Sequence, residues 1–354
     1  MLKICTGSLK EGIKELSKFK SKDGFINLIS NESRVYLTKV YQRSDKKLEV
    51  ITYELDAEST GNNNYQLSDK MIKAISKINE TYLTFELEDN NKLKVYSEKR
   101  KLDFIIEGYE FKEEIISFET KESFSVKGEE LKILFQTIDF VAKDETRPIL
   151  QGINFKNNKL CALDGYRVAI RECSTMNLDN SYTVYNEPLK VVNSLIKKDS
   201  EVKISFNENV CKIELNKLKI YSGLMDGSYI KYESLIPQEY KINATFGIEE
   251  LKEELDFMLS LSDNPKQPLL KMDISKNETN LKGYETDASS TIKLNNVETD
   301  GEILIAFNTN YIKEMLKHFT EKVTLKFVSA INPVVCEYED IKGLDLVLPV
   351  RIMK

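Results

Sequence analysis

The chain carries one short architecture three times, at a spacing of about 120 residues. Its clearest mark is a strand-like core of the form apolar–x–Phe that follows a helical segment. This core occurs at residues 83–85, 204–206 and 325–327, and its successive phenylalanines are 121 positions apart. Repeats of this length are whole small domains, because the units of solenoid proteins run only about 20 to 50 residues.

Two further pairs of segments share an offset of 120 residues. Residues 129–132 and 249–252 both read Glu-Glu-Leu-Lys, and the Pro-Ile-Leu of residues 148–150 returns as Pro-Leu-Leu at residues 268–270. A chain of 354 residues can fill several hydrophobic cores, and domains of about 100 to 150 residues are the commonest size. We therefore predict three copies of one domain, at residues 1–119, 120–241 and 242–354.

Within each third, the pattern predicts a strand, a helix, several strands, a second helix and further strands, which is an α+β fold. In the first third, the apolar residues at helical spacing are Leu9, Ile13 and Leu16. The second helices are predicted at residues 68–78, 188–197 and 308–319. Ser68, and either Asn308 or Thr309, are suitable N-caps, and Pro188 suits a first helical turn.

Cysteine and histidine usage argues against disulfides and metal sites. The cysteines lack CxxC spacing, so we expect reduced and mostly buried thiols. They are Cys5, Cys161, Cys173, Cys211 and Cys336. His318 is the only histidine, and we expect it on the surface of a lysine-rich helix. With no signal peptide and no apolar run near the roughly 18 residues of a membrane span, we expect a soluble intracellular protein without a metal or other cofactor.

The predicted helices carry lysines at helical spacing, although the whole chain has a formal net charge of −6. A basic helix surface in an acidic protein suggests phosphate contact, whereas a solvated helix face is the simpler alternative for any one helix. Recurrence in three copies favours nucleic acid, because stacked identical domains place equivalent helices on one surface. The lysines predicted to face DNA are Lys10, Lys14, Lys18, Lys70, Lys73, Lys77, Lys190, Lys197, Lys198, Lys313 and Lys317.

A specific resemblance lies in the middle third. Residues 145–155, Glu-Thr-Arg-Pro-Ile-Leu-Gln-Gly-Ile-Asn-Phe, followed by Leu-Asp-Gly-Tyr-Arg-Val-Ala at residues 163–169, resemble the middle domain of the bacterial sliding clamp, the beta subunit of DNA polymerase III. Further matches follow in the family's order, at residues 226–237, 307–311 and 348–351. The threefold repeat extends the resemblance over the full length.

The resemblance implies a ring of two chains, each with three repeated clamp domains, joined head to tail around duplex DNA. Helices would line the hole and antiparallel sheets would form the outer wall, with few open sheet edges. Closure would join the first domain of one chain to the third of its partner, with the helix around Leu259 and Leu261 at the interface. Lysines would touch phosphates without reading sequence, which permits sliding.

Such a clamp has no catalytic activity and no ATP site; it confers processivity by tethering the replicative polymerase at high effective concentration. The implied partners are duplex DNA, a second copy of the chain, the catalytic subunit of DNA polymerase III, the clamp loader and other proteins with a clamp-binding motif. The implied location is the bacterial cytoplasm, at the nucleoid, with no membrane association.

The family also carries a pocket between its second and third domains that binds short linear peptides. Carried over by position, its residues here are Leu150, Leu163, Gly165, Tyr166, Val168, Ile230, Leu235, Leu346, Leu348, Pro349, Val350 and Arg351. Most are apolar and could anchor peptide side chains. Leu163, Tyr166 and Ile230 stand where the family often has Thr, His and Pro, which leaves peptide preference open. For residues 346–350, the alternative is a closing core strand.

Enzymatic alternatives find little support, since the chain contains no GxGxxG, GxxxxGK[ST], HExxH or GxSxG motif. Asp164 could be a catalytic carboxylate, but as the first residue of an Asp-Gly turn it is more simply an Asx-turn former. Two other classes stay open. One is a non-ring, clamp-like regulatory protein associated with DNA, and the other is a hydrolase on a repeated α+β scaffold with convergent carboxylates.

Overall fold

A computed structural model of the chain describes residues 1–20, 25–31, 34–88, 92–106, 118–144, 146–264, 266–284, 289–338 and 341–351. Glu145, the first residue of the clamp-like segment, lies outside this set. The fold is α+β, as the sequence predicts. Its α-helices are α1 (Thr6–Ser17), α2 (Asp69–Ser76), α3 (Gly128–Leu134), α4 (Asn186–Leu195), α5 (Ile248–Ser260) and α6 (Thr309–Leu316). Within the described ranges, short 3₁₀ helices span Phe135–Phe140, Pro148–Gln151 and Tyr232–Leu235.

Two of the predicted caps are present. The hydroxyl of Ser68 accepts a hydrogen bond from the Met71 N–H at 3.3 Å, and the side chain of Asn308 accepts one from the Asn310 N–H at 3.0 Å. These bonds satisfy N–H groups that the first helical turn leaves without a partner. The last predicted helix ends earlier than expected, at Leu316 instead of residue 319.

The chain divides into two compact units. The first comprises Met1–Lys132, Thr175–Leu178 and Glu187–Met225, and the second comprises Ile133–Ser174, Asp179–Asn186 and Asp226–Lys354. These units do not coincide with thirds of the chain, because two large sheets each combine strands from neighbouring repeats. The domain boundaries at residues 119 and 241 therefore stay a prediction.

The first unit contains two antiparallel sheets. The five-stranded sheet has, in spatial order, β5 (Ala57–Ser59), β1 (Leu2–Cys5), β7 (Tyr82–Glu88), β8 (Lys92–Tyr96) and β9 (Lys101–Ile105). The eight-stranded sheet has β10 (Glu122–Lys127), β15 (Glu201–Phe206), β16 (Val210–Leu215), β17 (Leu218–Gly223), β4 (Leu48–Glu54), β3 (Val35–Gln42), β2 (Ile26–Ser30) and β6 (Asn63–Leu67).

The second unit contains the other two antiparallel sheets. The nine-stranded sheet has β14 (Leu178–Tyr185), β11 (Gly152–Asn157), β12 (Lys159–Leu163), β13 (Arg167–Glu172), β26 (Gly343–Val347), β25 (Val334–Glu337), β24 (Lys322–Phe327), β18 (Ile242–Gly247) and β22 (Val297–Thr299). The four-stranded sheet has β21 (Ser289–Leu294), β20 (Thr279–Tyr284), β19 (Leu269–Ile274) and β23 (Ile303–Asn308).

The strand pairing repeats along the chain as the apolar–x–Phe pattern predicts. The strands β7, β15 and β24, which carry the three phenylalanines, each pair antiparallel with the first strand of their own third, β1, β10 and β18. Phe85, Phe206 and Phe327 are completely buried and lie opposite residues 2, 122 and 242. One domain topology therefore occurs three times at an offset of 120 residues.

Two seams join the repeats within each large sheet. In the first unit, β17 of the middle repeat pairs with β4 of the first, and in the second unit β26 of the last repeat pairs with β13 of the middle one. Each seam thus joins the last strand of one repeat to the fourth strand of the preceding repeat. Among the described helices, none is both long and apolar enough to cross a membrane.

Candidate functional site

The seam between β13 and β26 supplies a buried apolar floor. Val168 lies opposite Leu346 in this ladder, and both are almost fully buried together with Leu150 and Leu163. Because alternate residues of a strand face opposite sides of a sheet, Val168 and Leu346 contribute to one face of the seam only. Four of the twelve pocket residues predicted from the sequence are therefore core residues whose side chains offer almost no accessible surface.

Other predicted pocket residues form an exposed apolar rim in the same unit. Tyr166 is 58% exposed, and Ile230, Leu235, Leu348 and Val350 are each exposed by about two-fifths. The segment around Pro349 and Arg351 continues this rim, with Pro349 half-buried and Arg351 exposed. Exposed large apolar groups gathered on one surface are typical of binding sites.

The terminal run thus divides at the end of β26. Leu346 and Val347 belong to the closing strand, whereas residues 348–350 leave it. Two backbone hydrogen bonds hold this tail: Leu348 N–H donates to the Tyr166 carbonyl at 2.8 Å, and Val350 N–H donates to the Ala306 carbonyl at 2.7 Å. The closing-strand alternative therefore holds for Leu346 and Val347, whereas residues 348–350 stay a prediction as pocket residues.

The Asp-Gly turn at the rim has the predicted Asx geometry. The Asp164 Oδ1 atom accepts hydrogen bonds from the N–H groups of Tyr166 and Arg167, each at 2.9 Å. Gly165 has φ of +91°, a left-handed conformation that costs glycine little. The second carboxylate oxygen of Asp164 accepts from the Arg167 guanidinium at 2.8 and 3.0 Å. This carboxylate therefore holds the turn.

An aromatic stack extends the rim towards α6. The rings of Tyr166 and Tyr311 lie 5.7 Å apart at 26°, and the guanidinium of Arg167 lies 4.6 Å from the Tyr311 ring. Arg167 also pairs with Glu314 on α6. Burial lowers the pKa of Arg167, but Asp164 and Glu314 outweigh this and raise it, so the guanidinium is a fixed cation beneath the stack.

Leu235 opens onto a groove that the sequence prediction did not include in full. This groove has a volume of about 570 Å³ and is lined also by Ile236, Val328, Asn332 and Pro333. The segment from Val328 to Pro333 carries the sequence signal of an exposed apolar turn, since Ile331 stands beside Asn-Pro and is largely exposed. Polar residues including Ser234, Gln238 and Glu239 also line the groove, which is open to solvent.

The other face of the β13–β26 seam is ionic. Arg171 and Asp345 are fully buried and joined at 2.7 Å, and the Tyr338 hydroxyl donates to Asp345 at 2.6 Å. Burial raises the pKa of Asp345, but the Arg171 cation and hydrogen bonds outweigh it and hold that pKa below its usual range. The carboxylate is therefore ionised within the seam.

His318 belongs to this ionic face, so the sequence prediction that it lies on the surface was wrong. Its side chain is only 5% exposed, with Nδ1 3.3 Å from Asp345 Oδ2 and Nε2 3.3 Å from Asp139 Oδ2. Burial lowers the pKa of His318, but its hydrogen bonds to the two aspartates outweigh burial and raise it. The error arose because α6 ends at Leu316, and the following turn directs His318 into the seam.

The lysines predicted to face DNA in the first unit lie mainly on exposed helix surfaces. Lys70 and Lys73 on α2, and Lys77 directly after it, are exposed on the side away from the buried Met71 and Ile75. Helix α1 packs beside α2, and the Lys10 ammonium donates to Asn79 just after α2, at 3.3 Å. Lys14 is exposed, as are Lys190, Lys197 and Lys198 on and after α4.

Helix α1 approaches its sheet closely at a glycine. A Cβ atom on Gly12 would lie 2.7 Å from the Tyr53 ring and 2.8 Å from a Leu37 methyl. Only glycine leaves room for this helix to lie so close to β3 and β4. The lysine-bearing side of α1 is thereby held in a fixed position relative to the sheet.

Four of the predicted lysines already have partners within the protein. Lys10 donates to Asn79, as described above. Lys18 pairs with Glu15 at 2.9 Å, Lys198 pairs with Glu129 at 3.8 Å, and Lys313 forms an ion pair with Asp256. The last pairing joins α6 to α5 in the second unit. The lysines therefore differ in how freely they can contact an external anion.

The five cysteines are free thiols, and four of them are buried, as the sequence predicts. Burial is the main cause that raises the pKa of Cys161, Cys211 and Cys336 far above the usual value, so these thiols are unreactive. No group of three or more His, Cys, Asp or Glu side chains suited to a metal ion occurs within the described ranges.

Comparison with known proteins agrees with the resemblance in the sequence. Two family models match, the central domain of the DNA polymerase III beta subunit at residues 125–231 and its C-terminal domain at residues 233–351. The beta sliding clamp of Streptococcus pneumoniae is 27% identical in an alignment of 236 residues that covers 62% of this chain and 62% of that relative. The chain thus spans about 62% of the length of the curated relatives it matches.

Solved structures share the fold over the whole chain. The DNA polymerase III beta subunit of Thermotoga maritima covers 100% of both chains with a TM-score of 0.83 at 22% identity. The beta subunit from Streptococcus pyogenes DNA polymerase covers 99% of this chain and 100% of its own, with a TM-score of 0.85 at 18% identity. Since the two family models together match more than half of the sequence, this chain belongs to the family of bacterial DNA polymerase III beta subunits, the sliding clamps.

Proposed function

We propose that two copies of this chain close head to tail into a ring that encircles duplex DNA and tethers the replicative polymerase. The observation that carries the proposal is the incompleteness of two sheets. Each repeat contributes one set of strands to each of two sheets, and the eight- and nine-stranded sheets combine sets from neighbouring repeats. The five- and four-stranded sheets contain one set each, from the first and the last repeat.

Each of these two smaller sheets has an edge strand that is equivalent to a strand paired at one of the internal seams. Within the described residues, β9 is one of the two outer strands of the first sheet, with β5 at its other edge, and β21 is one of the two outer strands of the second, with β23 at its other edge. By the repeat offset, β9 corresponds to β17 and β26, and β21 corresponds to β4 and β13. Pairing of β9 in one chain with β21 of its partner would complete a nine-stranded sheet at each chain junction and bury both edges.

Exposed apolar residues beside both edges support this pairing. Ile105 at the end of β9 is 90% exposed, and Leu102 and Phe104 on the same strand are half-buried. Helix α5 packs against β21, and Phe257 and Leu261 near its end are exposed. The helix around residues 259–261 would then contribute to the interface, as the sequence suggests.

The second part of the proposal concerns partners. The exposed rim from Tyr166 to Val350 and the groove at Leu235 support binding of a linear peptide from DNA polymerase III, the clamp loader and other proteins with a clamp-binding motif. The twelve predicted residues would then divide between a buried floor and an exposed rim. We further propose domain boundaries at residues 119 and 241, location in the cytoplasm at the nucleoid, and a role without catalysis of its own.

Retention on DNA of two topologies tests encirclement. The protein is loaded by a clamp-loader complex onto a nicked circular duplex, and half of the sample is then linearised with a restriction enzyme. Encirclement predicts that the protein stays on the circles and runs off the linear ends, because phosphate contacts alone do not prevent sliding. Equal loss from both DNAs would favour the alternative of a clamp-like regulatory protein that does not form a ring.

A further inference from the structure

Equivalent helix pairs differ in the charge of their exposed sides. In every repeat one helix follows the first strand and a second helix precedes the Phe-bearing strand, so α5 and α6 of the last repeat correspond to α1 and α2 of the first. Helices α1 and α2 pack beside each other, as do α5 and α6. The two pairs can therefore be compared directly within their own units.

The exposed side of α5 is acidic. Its buried residues are Ile248, Leu251, Leu255 and Met258. On the opposite side Glu249, Glu253 and Asp256 follow at helical spacing, and all three are exposed. At this position the last repeat presents carboxylates where a DNA-lining helix needs cations.

The basic groups of this helix pair are mostly engaged. The only lysine of α5, Lys252, directs its ammonium to the Phe319 carbonyl at 3.4 Å. Lys313 is held by Asp256, and the one carboxylate of α6, Glu314, is paired with Arg167. Of the lysines predicted to face DNA in this repeat, only Lys317 is exposed.

In contrast, the helices of the first unit carry several lysines without acidic partners, although Glu11 on α1 and Asp69 on α2 are exposed on the same helices. Lys70 and Lys73 on α2 and Lys77 directly after it are exposed, and among the described residues no carboxylate lies within ion-pair distance of any of them. The same holds for Lys14 on α1 and Lys190 on α4. These ammonium groups are available to an external phosphate without first breaking a contact within the protein.

We propose that contact with the phosphate backbone is confined to α1, α2 and α4, and that the α5–α6 pair makes none. This inference rests on the proposed function and gives the two units different roles. The first unit contacts DNA, and the second binds partner peptides. It also revises the assignment of Lys313 and Lys317, which would not touch DNA. The physical reason is repulsion between the carboxylates of α5 and the phosphates.

Salt dependence of DNA binding tests the inference. The affinity of the full-length protein for a fluorescein-labelled 30-base-pair duplex is measured by anisotropy over a range of salt concentrations. Each phosphate contact contributes about 0.9 to the slope of log K against log salt. The triple variant K70A/K73A/K77A should therefore make the slope less steep, by about 0.9 for each of the three lysines that contacts a phosphate and by about 2.7 if all three do.

The matched variant removes three lysines from the other pair, K252A/K313A/K317A, and should leave the slope unchanged. A similar loss of slope in both triple variants would overturn the inference while leaving the proposed function intact. An unchanged slope in K70A/K73A/K77A would also overturn it. Absence of any salt-dependent binding by the unmodified protein would instead refute DNA contact itself. Unchanged thermal unfolding of both variants serves as the folding control.

Discussion

Removing the Asp345 carboxylate should destabilise the second unit strongly. Asp345 accepts hydrogen bonds from Arg171 and Tyr338 at 2.7 and 2.6 Å, and both it and Arg171 are fully buried. Asp345→Ala would leave the guanidinium in the seam without its counter-ion, and breaking a buried pair in this way costs about 3 to 5 kcal/mol. The equilibrium between folded and unfolded unit would shift by more than about a hundredfold.

Urea denaturation followed by near-ultraviolet circular dichroism measures this loss, with the midpoint and slope read for each transition because the chain has two units. A surface pair provides the matched control. Lys326 and Glu337 join neighbouring strands at the same 2.7 Å, but their side chains are 26% and 45% exposed. Glu337→Ala should cost no more than about 1 kcal/mol. Equal costs for the two variants would refute the argument that burial makes the Asp345 pair important.

Three further predictions concern other parts of the chain. The pKa of His318 is raised in the folded state, so the protonated imidazole stabilises the fold. This contribution to the free energy of unfolding should be complete below about pH 6.5 and be lost as pH rises through the folded-state pKa. NMR can follow the titration, because His318 is the only histidine in the sequence. Gly128→Ala should cost about 1 to 3 kcal/mol or more, since its Cβ would collide with the backbone carbonyl of Lys197. Gly7→Ala, with its nearest neighbour at 3.9 Å, should not destabilise α1 in thermal melts. Tyr166→Ala should weaken binding of a labelled clamp-binding peptide about tenfold. Tyr82→Ala, at a tyrosine that is also more than half exposed but lies in the first unit, should not.

Each of these has a contrary outcome. Stability that increases as pH rises through the histidine titration would show that the neutral ring is the better partner in the seam. Equal melting temperatures for the two glycine variants would contradict the close approach at Gly128. Equal peptide affinities for the two tyrosine variants would exclude the Tyr166 rim from peptide binding.

Much of the fold could be predicted from the sequence because it rests on local patterns. The apolar–x–Phe cores identified equivalent strands, Ser68 and Asn308 marked helix starts, and Asp164 marked a turn. Each of these signals is carried by residues within a few positions of one another, where period and side-chain chemistry decide the structure.

The errors and omissions share a different cause, which is dependence on distant residues. Whether Leu346 is floor or rim depends on its pairing with β13, about 180 positions earlier in the chain. Lys313 looks like a free cation until Asp256 is brought beside it by packing of α5 on α6. The sequence predicts His318 on the surface because it predicts a helix that continues to residue 319. The helix ends about one turn earlier, at Leu316, and this places the His318 ring in the seam.

The pairing of β9 with β21 between two chains is the central claim, and the molar mass in solution tests it most directly. The Ser97 N–H donates to the Arg100 carbonyl, which makes these two residues a hydrogen-bonded pair of the antiparallel β8–β9 ladder. Hydrogen-bonded and non-hydrogen-bonded pairs alternate along such a ladder, so Asp103 belongs to a non-hydrogen-bonded pair. Its backbone N–H and C=O groups therefore point away from β8, towards the outer edge of the sheet. Asp103→Pro would block that edge without removing a ladder hydrogen bond. Light scattering should give about 82 kDa for the unmodified protein, twice its 40.8 kDa chain mass, and about 41 kDa for the variant. A monomeric unmodified protein at micromolar concentration, or a dimer that Asp103→Pro leaves intact, would contradict the account.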